Sequence, residues 1–286
     1  MTAWSLLGKP VAAALQTRTR SRAEAFHQRA GRPPRLAIVA LGDDPAADRY
    51  VRQIERQAGN VAVEVAIRRL SAEIDQAQLD RAIDDLNDDE GLDTILVQLP
   101  LPAGLDQARL ADRIDPAKDV DGVSPRNVGR LAQGRWAPVP NTAQAGLALL
   151  DHYEIGLAGR RVVIVGRSPI VGRPLGFLCL SRDATITFCH TRTRDLAEVT
   201  RQAEILLVAA GRPGLIDGSD VAPGAIVLDF GTTVGPDGRL TGDVDAVSVE
   251  PVAGALTPVP GGIGPVTTAC LLSSVVDLAE RRTAGP

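Results

Sequence analysis

The chain has 286 residues, with 31 lysines and arginines against 35 aspartates and glutamates, and its formal net charge is −4. This balance disfavours a nucleic-acid-binding protein, which normally carries a clustered basic excess, and no apolar run approaches the ~20 residues of a membrane span. Three scattered cysteines and three distant histidines disfavour a disulfide framework and a metal site. The start of the chain lacks a signal-peptide pattern. The sequence therefore predicts a cytoplasmic α/β protein of about two domains, without a metal.

The first half of the chain alternates between helical and strand patterns. A helix is predicted over residues 11–30, because Gly31 and Pro33 follow it as stop signals. The further predictions are strands at 36–41, 61–70 and 94–99 and helices at 46–58 and 74–87. Short apolar runs separated by helices are typical of a parallel sheet covered by helices.

The second half repeats this alternation. Its predicted strands cover residues 161–165, 184–189, 205–209 and 225–228, with helices between them and a closing helix at 273–281. The kink at Pro138-Val139-Pro140 and the helical pattern through 147–150 place a domain boundary near residues 140–160.

Lysine is rare in this sequence. Only Lys9 and Lys118 are present, against 29 arginines, which codon bias would explain. Any mechanism that needs a titratable side-chain amine has these two residues to draw on, because arginine keeps its proton at accessible pH.

A glycine loop follows the first strand of the second half. Gly166 to Pro174 (GRSPIVGRP) leads from strand to helix, a geometry that aims backbone N–H groups at a phosphate. It lacks the GxGxxG spacing, so an ordinary tight turn remains the alternative. At the end of the next strand, Thr191, Arg192 and Arg194 favour the 2′-phosphate of NADP over NAD, with solvated surface charge as the alternative.

Four further segments carry polar or conformationally special residues. Gln98 ends a buried strand before Pro100, and Lys118 to Gly122 (KDVDG) places two carboxylates in a loop. Pro258 to Pro265 is a rigid loop poor in side chains, and Tyr50 lies on a predicted helix. Taken singly, each is compatible with ordinary turn or surface chemistry.

In this order the motifs QLPLP, KDVDG, GRSPIVGRP and TPVPGGIGP resemble the bifunctional methylenetetrahydrofolate dehydrogenase/cyclohydrolase (FolD-like) family over nearly the whole chain. The resemblance implies an NADP-dependent oxidoreductase of one-carbon metabolism. Such an enzyme oxidises methylene-tetrahydrofolate to the methenyl form and hydrolyses that product to 10-formyl-tetrahydrofolate. It also implies a homodimer. The other expected partner is a small-molecule substrate, a tetrahydrofolate derivative or another C=N compound, and the composition predicts neither a nucleic-acid nor a membrane partner.

The resemblance further implies two α/β domains with a cleft between them. The N-terminal substrate domain would comprise residues 1–142 plus 267–286, and a Rossmann-type NADP-binding domain would comprise 143–266. Tyr50, Gln98 and Asp121 map to the family's catalytic and substrate-binding residues, and the backbone of Pro260, Gly261 and Gly262 borders the substrate. The cofactor contacts map to Gly166, Arg167, Ser168, Gly172, Arg173, Thr191, Arg192 and Thr232.

One departure from the family pattern bears on chemistry. The family carries a catalytic lysine one helical turn after the tyrosine, where this chain has Ile54. Other departures are Ala47, Val123-Ser124-Pro125, Asn141-Thr142-Ala143, Pro169 and Thr232-Thr233. Hydride loss from a methylene between two nitrogens needs positioning but no proton transfer, whereas hydrolysis of the methenyl cation needs both proton removal and proton donation.

Three hypotheses follow from this departure. In the first, hydride transfer persists and the cyclohydrolase step is weak or absent. In the second, the pocket is repurposed to reduce another C=N substrate, an imine or hydrazone of a specialised biosynthetic pathway. In the third, the chain is a catalytically dead paralogue that keeps NADP as a ligand. The presence of Tyr50, Gln98 and Asp121 argues against the third.

Overall fold

The computed structural model describes residues 2–42, 44–235 and 238–283. In chain order the elements up to residue 139 are β1 (Trp4–Ser5), α1 (Gly8–Ala30), β2 (Arg35–Leu41), α2 (Pro45–Asn60), β3 (Glu64–Leu70), α3 (Gln76–Asp88), β4 (Thr94–Val97), α4 (Gln107–Arg113) and α5 (Pro125–Ala132). The later ones are α6 (Asn141–His152), β5 (Arg161–Val165), α7 (Gly172–Leu180), β6 (Thr185–Cys189), α8 (Leu196–Thr200), β7 (Ile205–Val208), β8 (Ile226–Asp229), β9 (Thr233–Val234), β10 (Leu240–Thr241), α9 (Ala246–Val249), β11 (Ala255–Leu256) and α10 (Ile263–Thr283).

The chain divides into two compact units. The three-stranded unit comprises Ala13–Val139 and Thr268–Pro286, and the six-stranded unit comprises Met1–Ala12 and Pro140–Thr267. Each unit contains a parallel sheet, as strand–helix alternation predicts.

The three-stranded unit is built around β2. This strand pairs in parallel with β3 on one side and β4 on the other, and five of its seven residues are buried. Its core joins residues of β2 and α2 to the second half of α10, with Leu36, Ile54, Leu272 and Val275 all fully buried. α10 is apolar and long enough to cross a bilayer, but 67% of its most apolar window is buried inside the protein, which is typical of a core helix.

The six-stranded unit has the strand order β1-β11-β8-β7-β5-β6, and every neighbouring pair is parallel. The central strands β5 and β7 are almost wholly buried, which agrees with their unbroken apolar sequences. A short antiparallel hairpin, β9–β10, follows the sheet strand β8.

The N-terminal residues differ from the predicted domain division. The prediction assigns residues 1–142 to the substrate domain, but β1 pairs with β11 in the six-stranded sheet, with Trp4 opposite Ala255. Leu6 N also donates to Leu256 O at 2.9 Å. A strand of two residues has no periodicity of its own, so only this long-range pairing reveals it.

Some element limits also differ from the predicted ones. β3 begins at Glu64 and not at residue 61, and α10 begins at Ile263, ten residues before the predicted start. Pro265 lies in the first turn of α10, where a missing N–H costs no helical hydrogen bond. α3 begins after Asp75, whose carboxylate accepts from Gln78 N in a capping box.

Candidate active site

The sheet of the three-stranded unit brings Gln98 and Asp121 to one edge. Gln98 directly follows β4, and its N–H donates to Val39 O at 2.9 Å, which continues the pairing with β2. An isolated parallel bridge joins Asp119 to Ile95 of β4, so Asp121 lies level with the end of that strand. β2 ends at the same edge and leads into α2, which carries Tyr50. The carboxyl ends of parallel strands thus gather all three predicted residues.

Tyr50 is half-buried and is electrostatically coupled to Asp121. Its hydroxyl forms a hydrogen bond with that of Thr268, which in turn accepts from Gln53 Nε2 at 3.2 Å. Burial raises the pKa of the Tyr50 phenol well above its usual range, and the nearby charge of Asp121 raises it further. Tyr50 therefore stays protonated at neutral pH and can donate a hydrogen bond, but it cannot act as a base.

Ile54 lies one turn after Tyr50 on α2 and points into the core. It is 0% exposed and belongs to the same apolar cluster as Val51, Ala58 and Leu272. The position is therefore filled by a packed aliphatic side chain that cannot carry a proton.

In the six-stranded unit, β5 leads into a glycine turn that excludes side chains. Gly166 has φ +133°, and a Cβ there would lie 2.1 Å from Ala209 O. A Cβ on Gly172 would lie 2.4 Å from Gly166 O. Ser168 Oγ accepts from the backbone N–H groups of Val171 at 3.1 Å and Gly172 at 3.3 Å. The turn is thus fixed by backbone contacts and by one serine.

The segment after β6 forms a second ordered turn. His190 N donates to Thr193 Oγ1 at 2.8 Å, and Arg192 N donates to His190 Nδ1 at 3.1 Å. These bonds leave Thr191 and Arg192 exposed at the turn. A hydroxyl and a guanidinium side by side are suited to a phosphate monoester.

Two buried carboxylates anchor the loop that carries Thr232. Asp229 Oδ1 accepts from Gly231 N at 2.8 Å and from Asp243 N at 3.0 Å. Asp243 Oδ2 accepts from Ala210 N at 2.6 Å, which ties the loop to the end of β7, while its Oδ1 has no hydrogen-bond partner among the described residues. Burial, with the charge of Asp243 as a smaller cause, raises the pKa of Asp229 to about 6.

The predicted loop at Pro260, Gly261 and Gly262 belongs to the six-stranded unit and packs on the N-terminal segment. Gly261 has φ +112°, and its carbonyl accepts from Gly8 N at 2.8 Å. A Cβ on Gly8 would lie 1.8 Å from Gly262 O, so a larger residue would displace this loop. Pro260 is exposed.

The six-stranded unit has the features that a dinucleotide requires. A glycine turn that no side chain could enter follows β5, and its flanking Arg167 and Arg173 are exposed. Backbone N–H groups and guanidinium groups are the donors that bind a diphosphate. Within residues 2–42, 44–235 and 238–283, no three His, Cys, Asp or Glu side chains form a group that could hold a metal ion.

Comparison with known proteins agrees with this geometry. Residues 6–121 match the catalytic domain of the tetrahydrofolate dehydrogenase/cyclohydrolase family, and residues 140–283 match its NAD(P)-binding domain. The chain belongs to this family. The bifunctional protein FolD of Chloroflexus aurantiacus is 47% identical over 282 residues, or 99% of both chains, and that of Lacticaseibacillus casei is 50% identical over 252 residues, or 88% of this chain and 89% of its own.

Solved structures of family members share the fold of this chain at lower sequence identity. FolD from Campylobacter jejuni has a TM-score of 0.94 at 37% identity and covers 97% of this chain and 98% of its own. The Trypanosoma brucei methylenetetrahydrofolate dehydrogenase-cyclohydrolase, solved with NADP and an inhibitor, has a TM-score of 0.93 at 35% identity over 100% of both chains. These matches confirm the predicted α/β fold and the family resemblance.

The structure separates the predicted site residues by unit. Tyr50, Gln98 and Asp121 lie in the three-stranded unit, and the predicted cofactor residues lie in the six-stranded unit with Gly261. Sequence reasoning missed the residues that hold these groups in place, namely Thr268, His190, Thr193, Asp229 and Asp243. For Asp243 a sequence signal was present, since the segment Gly242-Asp243-Val244-Asp245 also resembles the family.

Proposed function

We propose that this chain is a cytoplasmic, NADP-dependent methylenetetrahydrofolate dehydrogenase in which the cyclohydrolase step is weak or absent. The observation that carries the proposal is the burial of Ile54 in the apolar core, one turn from Tyr50. Hydride transfer depends on groups that the chain keeps, and hydrolysis depends on an amine that it lacks.

Hydride transfer requires that the site position the substrate and stabilise the positive charge that develops on it. When bound, NADP⁺ would supply the acceptor for the hydride of the methylene carbon between two substrate nitrogens. Asp121 would anchor the pteridine edge by accepting charge-assisted hydrogen bonds. Gln98 would orient the reacting nitrogen, and Tyr50 would stack on the substrate ring or donate a hydrogen bond to it. None of these roles moves a proton.

The cofactor would be held by the six-stranded unit. Gly166, Ser168 and Gly172 would form the diphosphate turn with Arg167 and Arg173 beside it. Thr191 and Arg192 would bind the 2′-phosphate, and Thr232 would contact the cofactor from the loop that Asp229 anchors. Exposure of Thr191 and Arg192 supports NADP over NAD.

Hydrolysis of the methenyl product needs a group that takes a proton from water and returns one to the leaving nitrogen. The three-stranded unit has one lysine in its sequence, Lys118, and its Nζ already donates to the carbonyl oxygens of Leu86, Asn87 and Asp89. The raised pKa of Tyr50 keeps that phenol protonated at neutral pH, so it cannot take a proton from water. General acid–base help of about 10²- to 10⁴-fold is therefore missing.

Two assays on the purified protein test this proposal. Methylene-tetrahydrofolate is offered with NADP⁺ or NAD⁺, and reduction of the nicotinamide is followed spectrophotometrically. Methenyl-tetrahydrofolate is then offered alone, and its hydrolysis is measured against the uncatalysed rate. We expect turnover with NADP⁺ and little or no enzymatic hydrolysis. Cyclohydrolase turnover comparable to hydride transfer would contradict the proposal.

An Ile54→Lys variant tests whether the missing amine alone accounts for weak cyclohydrolase activity. We expect it to raise cyclohydrolase turnover and to lower the melting temperature, because an ammonium replaces a fully buried aliphatic group. Ile54→Met is the matched control, since it also changes the packing but adds no proton carrier. A fall in stability with no gain in hydrolysis would show that the pocket differs from the family in more than this residue.

A second candidate function is reduction of another C=N compound, such as an imine or hydrazone. It is favoured by departures near the site, since Ala47 and Val123 replace a serine and an aromatic residue of the family pattern as Ile54 replaces its lysine. Absence of turnover with methylene-tetrahydrofolate, together with tight NADPH binding and reduction of such a compound, would select it. NADP binding without reduction of any C=N substrate would select the dead paralogue.

We also propose that the chain forms a homodimer. β6 is an edge strand of the six-stranded sheet, and no strand among the described residues pairs with its outer side. Phe188 on this strand is 41% exposed and Leu180 nearby in sequence is 60% exposed. The backbone N–H and C=O groups at such an edge can pair with the same strand of a second copy. Light scattering would give the mass of two chains, and Phe188→Lys would give the mass of one if this edge is the interface.

A further inference from the structure

Lys118 is a buried charge whose hydrogen bonds all go to backbone. Its side chain is among the largest that are fully buried, with 1% exposure. The Nζ atom donates to Leu86 O at 2.9 Å, Asn87 O at 2.6 Å and Asp89 O at 2.7 Å. An ammonium has three protons to donate, so its capacity is filled.

The three acceptors mark the carboxyl end of α3. Helix ends leave carbonyl groups without partners, and the helix dipole makes that end negative. The Lys118 ammonium satisfies those carbonyls and complements the dipole. Burial lowers the pKa of Lys118 and Arg282 lowers it further, while Asp89 and Asp115 act in the opposite direction.

Asp119 and Val120, which follow Lys118, are also held in place by their contacts. Asp119 is buried, and its carboxylate accepts from Val123 N at 3.1 Å, Ser124 N at 2.8 Å and Asn127 Nδ2 at 3.0 Å. Val120 belongs to the same core cluster as Ile54. We call residues 118–124 the aspartate loop.

The downstream part of the aspartate loop has little freedom either. Gly122 has φ +61°, and a Cβ there would lie 2.2 Å from Pro138 O. The loop is thus fixed before and after Asp121, a residue that is half-buried whereas Asp119 is buried. Before Asp121, Lys118 attaches the loop to the end of α3, and Asp119 attaches it to Asn127 of α5.

We propose that Lys118 is a positioning residue: its ammonium fastens the aspartate loop to the end of α3 and thereby fixes Asp121 for substrate binding. The proposal rests on the proposed function in one respect, that Asp121 binds the folate. It assigns the buried lysine no part in proton transfer, which agrees with its three backbone bonds.

A double-mutant cycle tests this role. Lys118→Met keeps the length of the side chain but loses the ammonium, and we expect kcat/KM for methylene-tetrahydrofolate to fall about 10²-fold, since small displacements of a binding group are that costly. The loss should appear in KM and in tetrahydrofolate affinity, with the Kd for NADP unchanged. In an Asp121→Ala background, Lys118→Met should change tetrahydrofolate affinity by less than about twofold, because the residue through which it acts is gone.

Arg32→Met is the matched control for stability. Arg32 donates to both oxygens of Asp93 at 2.7 and 2.8 Å, and Asp93 is 0% exposed. Its removal also unpairs a buried charged contact in the three-stranded unit, but outside the aspartate loop. We expect a comparable fall in melting temperature with unchanged KM. Should Lys118→Met not fold, Lys118→Arg replaces it in the same cycle.

Hydrogen exchange gives a readout that needs no folate. We expect the amides of Val123 and Ser124 to exchange at least about tenfold faster in Lys118→Met and at the native rate in Arg32→Met. Unchanged protection of these amides, or an equal loss of folate affinity with and without Asp121, would overturn the proposal. If the native protein neither binds nor oxidises the folate, the proposed function fails, and the exchange rates still decide whether Lys118 fixes the loop.

Discussion

The two units of this chain differ in what fixes their functional groups. In the six-stranded unit the cofactor turn depends on backbone, since Gly166 and Gly172 leave no room for a Cβ. In the three-stranded unit the chemistry depends on side chains, and one of them, Ile54, is buried where the family has an amine. Under the proposed function, replacing a glycine of the turn would weaken cofactor binding, whereas isoleucine in place of the lysine would remove one reaction and leave the packing of α2 intact. Under the same proposal, proton chemistry can be lost without loss of hydride transfer, because the two reactions depend on different side chains.

The same contrast appears along α2. Tyr50 and Ile54 are one turn apart, yet Tyr50 is linked to Thr268 and Asp121 whereas Ile54 packs in the core. The aliphatic side chain of Ile54 fills its place in the apolar cluster with Val51, Ala58 and Leu272. The helix therefore keeps its place without the proton carrier.

The largest effect is expected for Asp121→Ala. Loss of two charge-assisted hydrogen bonds to the substrate should lower kcat/KM by about 10²- to 10⁴-fold, at about 1.5–3 kcal/mol for each bond. The loss should lie mainly in KM, as measured by steady-state kinetics at saturating NADP⁺. Asp121→Asn keeps the shape and should lose less. Unchanged kinetics in Asp121→Ala would remove this residue from the site and weaken the assignment of substrate binding to the three-stranded unit.

Gly166→Ala tests the backbone dependence of the other unit. An alanine at φ +133° is strained by about 1–3 kcal/mol, and its Cβ would clash with Ala209 O. NADP affinity, measured by fluorescence titration, should fall about 10²-fold because the turn must shift. Gly156→Ala is the control, since no atom lies within 4 Å of its Cβ position and its φ is ordinary. Equal NADP affinity in both variants would contradict a cradle fixed by backbone packing.

The smallest effect concerns the pH dependence of stability in the six-stranded unit. The pKa of Asp229 is raised by burial to about 6 in the folded state, from 3.8. Its stabilising contribution is therefore fully present below pH 3.8 and is lost as the pH rises through about 6. The difference in melting temperature between the native protein and Asp229→Asn should shrink from pH 4 to about pH 6 and then stay constant. A difference that grows with pH would contradict this direction.

Local sequence patterns were enough to predict most of the helices and strands and the family. Alternating apolar runs predicted the strands from β2 to β8, and Gly31 correctly marked the end of α1. The motifs around Gln98, Asp121 and Gly166 predicted the family, which the comparisons confirm. These features depend on residues close together in sequence, where periodicity and turn chemistry are visible.

Features formed by distant residues were missed. β1 is defined by pairing with β11, about 250 residues later, and the sequence near Trp4 carries no strand pattern. Asp229 and Asp243 support the Thr232 loop through bonds that join three separate segments. Lys118 looked like a loop residue, although it is buried against α3.

By itself the sequence determined the family, the alternation that builds two parallel sheets, and the replacement of the usual lysine by Ile54. Only the tertiary structure decided that Ile54 is buried in the core and that the ammonium of Lys118 donates hydrogen bonds to three carbonyl groups. The physical reason is that a side chain can donate a proton only where burial and hydrogen bonding leave that proton available. Both conditions are set by residues far away in the chain.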